Sequence, residues 1–469
     1  MKTRQSLLSL AVAVAGIAAP ASAQTLQTAY FLDGYTYGHR LNPARDFDRG
    51  AYFSLPALGG MQISTNGNLD LQDVLRQYNG RTVTYLHPGI SVEDALSRFD
   101  SNNKILVDNQ VSLLSVGFHA FKGYNTIDVS LRGQSGLNVP YEFFDLTKNL
   151  QNKNYNISSF GATAQEYAEV ALGHSHQVVE GVRIGVKLKA LVGLGRMDVH
   201  MDDLHLDLTG PDQWTASANA TMTANIKGAT WGEPTYDDDG NESVDLENFD
   251  VDNPGIAGFG VGADLGVEVD CGKFADVLKG LKLSAAINDI GAIHWTEGIT
   301  AKNEGEPFIF TGFNDVQVAD GPGVSLDDQT DDLGDRFERL YRLRRGDMTN
   351  GTTSSLGTRL VIGAEYQMPF YDRLSVGALY TQRFQQQYGW HEARLNLTIS
   401  PLYWLEASVS AGTGTFGTSV GWVFNLHPKG FNIFFGMDHI VGKITPDGIP
   451  LRSNSDFTFG LSFPLGHRR

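Results

Sequence analysis

The amino-acid sequence predicts an all-β protein: a transmembrane antiparallel β-barrel of about 14 strands, within a range of about 12–16. Three observations predict this class. Apolar and polar residues alternate with period two over many segments. The polar faces of these segments carry Ser, Thr, Asn and Gly rather than Lys and Glu. Glycine and aromatic residues are abundant, with 53 Gly, 26 Phe, 17 Tyr and 6 Trp among 469 residues.

The alternation is complete between residues 214 and 227. The apolar face is formed by Trp214, Ala216, Ala218, Ala220, Met222, Ala224 and Ile226. A helix would distribute these residues around its axis, so the pattern predicts a strand. The segments 182–194, 393–400 and 457–463 alternate in the same way. Long strands with a neutral polar face are typical of membrane-spanning strands around a wet lumen, and they disfavour the alternative of a soluble barrel.

The first 23 residues predict a secretory signal peptide. Lys2 and Arg4 precede an apolar run at 7–19, and Ala21-Ser22-Ala23 supplies a small-residue cleavage site. The run is too short to span a bilayer, for which about 20 residues are needed. We therefore expect export and residence in the outer membrane of a Gram-negative cell, with residues 50–469 forming the barrel.

Residues 24–49, between the signal peptide and the barrel, are expected to form a plug or a periplasmic segment. A barrel of about 14 strands is wider than its own side chains can fill, since about eight strands is the limit for a packed interior. Asn42-Pro43-Ala44 is a candidate turn, because Pro fixes its own φ and biases the preceding residue toward an extended backbone. A plug and a tail whose aromatic residues rest on the barrel rim both fit the composition. The residues suited to either role are Tyr30, Phe31, Leu32, Tyr35, Tyr37 and Leu41.

The number of strands predicted from the sequence differs between a count from the N-terminus and a count from the C-terminus. Short turns at 369–372, 401–403 and 427–430 alternate with longer connections, as in outer-membrane barrels. The forward and backward counts disagree by one strand, near 180–230 or 300–318. Helical spacing predicts short helices in the loops at 69–78, 91–99, 141–150 and 327–345. Aromatic residues at strand ends predict interfacial girdles: Trp214, Trp295, Tyr371, Trp390, Tyr403, Trp404 and Phe431.

Charged residues on the polar faces of the strands are candidates for the lumen. A charge inside a barrel is kept only where it is hydrated or paired. We therefore expect a basic patch at 183–189 that acidic residues of the lumen or plug partly neutralise. The lumen candidates are Arg183, Lys187, Lys189, Glu268, Glu365 and Arg394.

Composition and motifs give no sign of catalysis, cofactor binding or a metal site. The net charge of −17 argues against a nucleic-acid partner, and the single cysteine excludes a disulfide framework. A G-x-S-x-G match at 417–421 lies inside an alternating segment instead of a strand-to-helix turn. His174 and His176 could share one strand face, but no third metal ligand is evident. The acidic loop 237–241 fits either a solvated loop or a weak calcium site.

Several motifs resemble an uncharacterised family of Bacteroidota outer-membrane barrels. They begin with His39-Arg40-Leu41-Asn42-Pro43-Ala44, and more distantly the Asn-Pro-Ala box is similar to that of FadL-type and PorV-type barrels. The family resemblance implies fold and location rather than activity. The further motifs that carry it are 50–56, 182–189, 288–291 with Trp295, 362–366 with 369–372, and 427–432.

Three functional classes follow from these resemblances and from the residues. The FadL resemblance implies a channel or transporter for small molecules, hydrophobic ones included. The PorV resemblance implies a structural or secretion-associated barrel that presents its outer loops to a protein partner. An outer-membrane enzyme ranks last, because no catalytic set can be assembled from the sequence. In each case we expect a monomer surrounded by membrane lipid.

Overall fold

The computed structural model describes the greater part of the chain. The predicted signal peptide lies outside the described residues, as does the acidic loop 237–241, and both stay predictions. The described residues are 26–47, 50–56, 60–210, 213–232, 235–236, 242–243, 249–296, 298–303, 308–311, 343–349, 351–440 and 453–465.

Antiparallel strands make up nearly all of the described secondary structure. In chain order, the first fourteen are β1 (Tyr52–Ser54), β2 (Met61–Gly67), β3 (Leu75–Tyr78), β4 (Arg81–Thr84), β5 (Asn102–Ala120), β6 (Gly123–Pro140), β7 (Asn154–Ile157), β8 (Phe160–Val179), β9 (Val182–Asp207), β10 (Trp214–Ile226), β11 (Ala229–Trp231), β12 (Thr235–Tyr236), β13 (Glu242–Ser243) and β14 (Phe249–Val251). The remaining strands are β15 (Gly258–Asp270), β16 (Leu281–Trp295), β17 (Ile299–Lys302), β18 (Phe308–Phe310), β19 (Arg344–Arg345), β20 (Thr352–Ser355), β21 (Thr358–Gln367), β22 (Leu374–Phe384), β23 (Trp390–Leu402), β24 (Leu405–Gly414), β25 (Gly417–Leu426), β26 (Asn432–Met437) and β27 (Ser455–Pro464).

The sheet closes into a barrel because β27 pairs with both β1 and β2, which in turn pair with β5. Five positions in the wall are each filled by two or three strands in succession: β1 with β2, β7 with β8, β10 with β15, β16 with β17 and β18, and β19 with β20 and β21. Counted in this way, the wall has 14 strands. The predicted fold class and strand number are confirmed.

The pairing of β9 explains why the two strand counts disagreed. Residues 182–193 of β9 pair with β15, whereas residues 195–207 pair with β10. Both β10 and β15 therefore run antiparallel to β9 at the same wall position, and the short strands β11–β14 lie between them in the sequence. The segments 214–227 and 258–269 look like two spanning strands in the sequence, but together they make one.

The two faces of the wall differ in chemistry as the alternation predicts. On β9, Val186 and Leu188 are 40% and 63% exposed, whereas Lys187 and Lys189 are 3% and 7% exposed. Apolar side chains thus face outward and charged ones face the lumen. Outward-facing apolar residues on other strands include Val170, Leu172, Phe259, Val261, Leu283, Ile362, Val376, Leu395, Leu397, Val409, Val420 and Phe457.

Two of the aromatic residues assigned to interfacial girdles are buried, and for them that prediction is wrong. Trp295 is fully buried and its indole nitrogen donates to Ser354 Oγ at 2.8 Å, while Trp390 packs with Leu106 and Tyr388. Both side chains pack against neighbouring protein groups instead of pointing outward from the wall. Trp214, Tyr371, Tyr403 and Phe431 are exposed at strand ends.

The described part of the loops carries three short α-helices: α1 (Leu71–Val74), α2 (Val92–Leu96) and α3 (Tyr141–Lys148). The helices predicted at 91–99 and 141–150 are present as α2 and α3. Of the helix predicted at 69–78 only residues 71–74 are helical, because residues 75–78 form the strand β3. For the predicted helix 327–345, residues 344–345 form a strand instead, and 327–342 lie outside the described residues. No helix among the described residues is long and apolar enough to cross a membrane.

The two ends of the barrel differ in their connections. Very short turns join β5 to β6, β8 to β9 and β23 to β24, and β1 begins at this same end, opposite Pro464 of β27. We call it the short-turn end. The long connections, including 68–101 and 141–159, lie at the opposite end, which we call the long-loop end.

Candidate functional site

The N-terminal residues 26–47, here called the plug, lie inside the barrel. Two 3-10 turns, Gln27–Ala29 and Gly38–Arg40, give this segment its compact path. Its apolar side chains are almost fully buried and join inward-facing wall residues in one cluster. The plug-like segment expected from the sequence is confirmed. The buried apolar residues of the plug are Leu26, Ala29, Tyr30, Phe31, Leu32, Tyr35, Tyr37, Leu41 and Phe47.

Glycines on the lumen face of the wall make room for the plug. A Cβ at Gly377 would collide with the ring of Phe31, and a Cβ at Gly185 would collide with the backbone of Pro43. Any larger residue at these positions would have to displace the plug, because the colliding groups are an aromatic ring and a backbone. The glycine content of the wall thus serves the fit of the plug as well as the strands themselves.

The Asn-Pro-Ala box forms the turn that the sequence predicts. Asn42 Oδ1 accepts a hydrogen bond from the amide of Ala44 at 2.9 Å, which closes the turn around Pro43. Asn42 Nδ2 donates to the carbonyl of Val267 on β15 at 3.2 Å and to the hydroxyl of Tyr30 at 3.3 Å. One side chain therefore shapes the turn and docks it against the wall.

Asp438, at the end of β26, holds the first residues of the plug. Its carboxylate accepts hydrogen bonds from the backbone amides of Gln27 and Thr28, each at 2.7 Å, and from the hydroxyl of Thr28 at 2.6 Å. The Thr28 hydroxyl also lies 2.7 Å from Ser410 Oγ on β24. Nearer the short-turn end, Glu406 accepts the amide of Gly34 at 3.0 Å. The plug is thus held by carboxylates of the wall.

Asp128 on β6 forms a second docking point, here called the latch. Its carboxylate lies 3.0 Å from His39 Nε2 and accepts hydrogen bonds from Arg40 at 3.0 Å and from Lys187 on β9 at 3.2 Å. Burial lowers the pKa of His39 to about 4, although the neighbouring Asp128 carboxylate acts in the opposite direction. His39 is therefore neutral at pH 7 while it is docked.

Above the plug, toward the long-loop end, a belt of ion pairs crosses the lumen. Asp289 is central to it: Arg132 binds both of its oxygens at 2.7 and 3.0 Å, Lys189 binds at 2.6 Å and Arg359 at 3.1 Å. Lys189 also lies 2.7 Å from Asp264. Asp289 has a left-handed φ of 58°, and the register of β15 against β16 shifts beside it. This irregularity turns Asn288 and Asp289 inward together.

Between the belt and the long-loop end lies a cavity of about 530 Å³, here called the cup. Just over half of its lining residues are Ser, Thr or Gln, contributed by β6, the segment 158–159, β8, β20 and the connection 385–389. Beside the plug at the short-turn end, a second cavity of about 280 Å³, here called the vestibule, is lined by Phe31, Lys282, Glu365 and Glu406 among others. The belt and the plug lie between these two cavities.

Of the six lumen candidates, four contact the plug, its anchors or the belt directly: Arg183, Lys187, Lys189 and Arg394. Arg183 lies 2.9 Å from the plug residue Asp46. Lys187 belongs to the latch and Lys189 to the belt. Glu268 and Glu365 line a small cavity with Arg45 of the plug. Arg394 binds Glu392 at 2.7 Å and the carbonyl of Asp438 at 3.1 Å.

Sequence reasoning missed the acidic partners of these residues. Asp128, Asp289 and Asp438 are the carboxylates that organise the latch, the belt and the plug anchor. Asp128 was detectable in principle, since it lies on the polar face of an alternating strand. Asp289 lies at a register shift and Asp438 just beyond a strand, where alternation gives no signal.

The motifs that resembled chemical sites have structural roles among the described residues. Ser419 of the G-x-S-x-G match donates to Glu392 at 2.7 Å within a continuous strand, β25. His174 and His176 bind Asn125 and the carbonyl of Lys122 through their Nδ1 atoms. Within the described residues, no group of three or more His, Cys, Asp or Glu side chains could hold a metal ion.

Comparison with solved structures gives distant similarities over nearly the whole chain. The toluene transporter TbuX of Ralstonia pickettii is 10% identical, with a TM-score of 0.42 over 91% of this chain and 92% of its own. The P. putida toluene transporter TodX is 10% identical, with a TM-score of 0.38 over 90% and 92%. A Pseudomonas aeruginosa FadL homologue is 11% identical, with a TM-score of 0.39 over 95% and 100%.

No curated protein matches the chain at a significant level. A family model described as "Family of unknown function (DUF5723)" matches residues 43–438, from the Asn-Pro-Ala turn to the carboxylate that anchors the plug. The chain therefore belongs to the DUF5723 family.

Proposed function

We propose that this protein is an outer-membrane channel for small molecules that is closed by its own plug. One observation carries the proposal. Among the described residues the plug pairs with no strand of the wall; it binds instead through side chains and through hydrogen bonds within itself. The hydrogen bonds between the strands of the wall can therefore stay intact when the plug moves. Removing the plug and opening the belt would join the cup to the vestibule.

The chemistry of the docking points is consistent with a reversible closure. The contacts at Asp438, Glu406 and Asp128 are charge-assisted hydrogen bonds, each worth about 1.5–3 kcal/mol net. Such bonds are exchanged for bonds to water when the plug leaves. The aromatic cluster adds apolar burial, which favours the closed state. Closure is thus the resting state in this account.

In this proposal the lumen candidates serve the closed state. Arg183 and Lys187 hold the C-terminal half of the plug through Asp46 and the latch. Arg394 positions the anchor at Asp438, and Lys189 closes the belt. Arg45 lies between Glu268 and Glu365, and the nearby carboxylates oppose the effect of burial and raise the pKa of its guanidinium. After release of the plug, the same charges would line the open pore.

Orientation follows from general features of outer-membrane barrels. Short turns face the periplasm and long loops face the outside, so the cup would open outward and the vestibule toward the periplasm. The outward apolar side chains would contact membrane lipid. The signal peptide predicted at 1–23 fits this route, because outer-membrane barrels are exported before they insert.

A liposome-swelling assay tests the proposal. Purified full-length protein and a variant lacking residues 26–40 are reconstituted at equal density, and the entry of small uncharged solutes is compared. The channel account predicts slow swelling for the full-length protein and at least a severalfold faster rate for the deletion variant. Heat-modifiable migration on gels checks that both barrels are folded. Equal, background rates for two folded proteins would refute the proposal that the plug closes the channel.

The second candidate is a scaffold that presents its long loops to a protein partner. The observation in its favour is that the described belt and plug leave no open path through the lumen. A folded deletion variant without permeability would support this reading, and recovery of one defined partner by cross-linking at the long-loop end would then identify it.

A further inference from the structure

We propose that the cup binds a small, uncharged, polyhydroxylated solute of the size of a short oligosaccharide. The inference rests on the proposed function, because it treats the cup as the outer entry to the same lumen. The volume of about 530 Å³ lies within the usual range of small-molecule sites, about 300–1,000 Å³. The residues of the lining indicate the chemical class of the solute.

The connection between β22 and β23 folds into the lumen rather than away from it. Within this connection, Tyr388 is buried against Leu106 and Trp390, and its ring packs on Gly136 of β6. This packing holds three consecutive amide side chains, Gln385, Gln386 and Gln387, at the edge of the cup. The connection therefore forms part of the cavity wall instead of an exposed surface loop.

The lining of the cup is dominated by neutral groups that both donate and accept hydrogen bonds. Twelve of its residues are Ser, Thr or Gln: Gln134, Ser135, Ser158, Ser159, Thr163, Gln165, Thr353, Ser354, Ser355, Gln385, Gln386 and Gln387. Amide side chains offer two donors and one acceptor oxygen, and hydroxyls offer one donor and two lone pairs. Solute hydroxyl groups have the same dual character, so they can satisfy such a lining from many orientations.

Each charged side chain of the cup lies near a partner of opposite charge. Asp198 binds Arg196 at 2.8 Å and His200 at 3.0 Å, and Arg383 binds both oxygens of Asp108 at 2.8 and 2.7 Å. Asp202 lies 3.7 Å from His200, and the partner of Arg383, Asp108, lies outside the lining. A phosphate or a carboxylate would have to displace these partners. A neutral ligand can still bind beside these ion pairs, because a carboxylate that is already paired can accept a further hydrogen bond from a hydroxyl group.

An apolar ligand fits the cup less well. The apolar side chains of the lining are Leu106, Phe160, Val199, Met201 and Tyr388, and the rest is polar. A hydrocarbon would displace water from the amides and hydroxyls without replacing its hydrogen bonds, at about 1–3 kcal/mol for each polar group left unpaired. The aromatic rings of Phe160 and Tyr388 can instead cover the apolar face of a sugar ring while the hydroxyls contact the amides.

Titration calorimetry on the purified, plugged, full-length protein in detergent tests the inference. The probes are neutral trisaccharides of glucose, galactose, mannose and xylose, with toluene and laurate as apolar competitors. We expect saturable binding of at least one trisaccharide that neither apolar compound displaces. Q386A/Q387A should weaken that binding about tenfold, the effect of losing about 1.4 kcal/mol of interaction. Q382A is the matched control, because Gln382 lies on β22 but outside the cup lining, and it should bind like the unaltered protein.

Three results would overturn the inference. They are no binding of any trisaccharide, displacement by toluene or laurate, and equal affinity in the Q386A/Q387A variant and the control. The outcome is separable from that of the channel proposal. If no trisaccharide binds but the variant lacking residues 26–40 is permeable, the channel proposal still holds. If a trisaccharide binds but that variant is impermeable, the cup is a binding site in a barrel that is not a channel.

Discussion

The ring of Phe31 occupies the space that a side chain at Gly377 would need. The two residues are far apart in sequence, yet the bare backbone of β22 at this point is complementary to one ring of the plug. The relationship shows that the wall is shaped for the plug, and it provides a way to move the plug without touching any ionisable group.

Gly377→Val should displace the plug and raise permeability. Overpacking of this kind typically costs about 1–3 kcal/mol, and here the strain falls on the docking of Phe31. We expect faster liposome swelling than for the unaltered protein. Ala378→Val is the matched control, since Ala378 is exposed on the outward face of the same strand. Equal swelling of the two variants would argue against a tightly fitted plug.

Asp289→Ala should destabilise the whole barrel. The substitution removes the carboxylate that Arg132, Lys189 and Arg359 share, while these three cationic side chains stay in the lumen. Breaking a buried ion pair from one side costs about 3–5 kcal/mol. We expect a clearly lower temperature of the heat-modifiability transition on gels. Asp203→Ala, at an exposed position on β9, should shift it little; a similar shift in both would contradict the assigned role of the belt.

Acidification should favour the released plug through His39. The docked pKa of His39 is lowered to about 4, whereas an exposed histidine titrates near 6.5. The released state therefore binds more protons between these values, and docking weakens as pH falls from about 6.5 to 4. The full effect is about 3 kcal/mol. Swelling rates should accordingly rise across this window.

The control for this pH effect is His39→Gln, which keeps a polar side chain beside Asp128, Arg40 and Lys187 but does not titrate. Its swelling rate should depend less steeply on pH between 6.5 and 5. An identical pH profile for both proteins would show that another group controls the acid response, and His39 would then have only a packing role.

The sequence predicts the wall better than what fills it. Alternation on β9 correctly separates Val186 from Lys187, because membrane on one side and polar lumen on the other select opposite chemistry at adjacent positions. The alternation does not show where two segments of the chain share one strand position in the wall. β10 and β15 each look like a complete strand, and only their shared pairing with β9 reveals one wall position.

The site was predictable only in part, for a similar reason. The aromatic residues of the plug and the turn at Asn42 could be recognised from composition and turn chemistry. The partners could not, since Asp438 is 411 residues away from Gln27 along the chain and no local pattern links them. Trp295 and Trp390 show the same limit: an aromatic residue at a strand end has the same local pattern whether it meets lipid headgroups or packs inward.

The most direct test of the central claim is a reversible cross-link between the plug and the wall. The hydroxyls of Thr28 and Ser410 lie 2.7 Å apart, so Thr28→Cys with Ser410→Cys places two sulfurs within bonding range. The only native cysteine is removed by Cys271→Ser. Planar-bilayer recordings compare the oxidised and reduced protein at pH 5, where release of the plug is favoured. Our account predicts closed channels when the disulfide is formed and openings after reduction, with Thr28→Cys alone insensitive to reductant; identical conductance before and after reduction would contradict it.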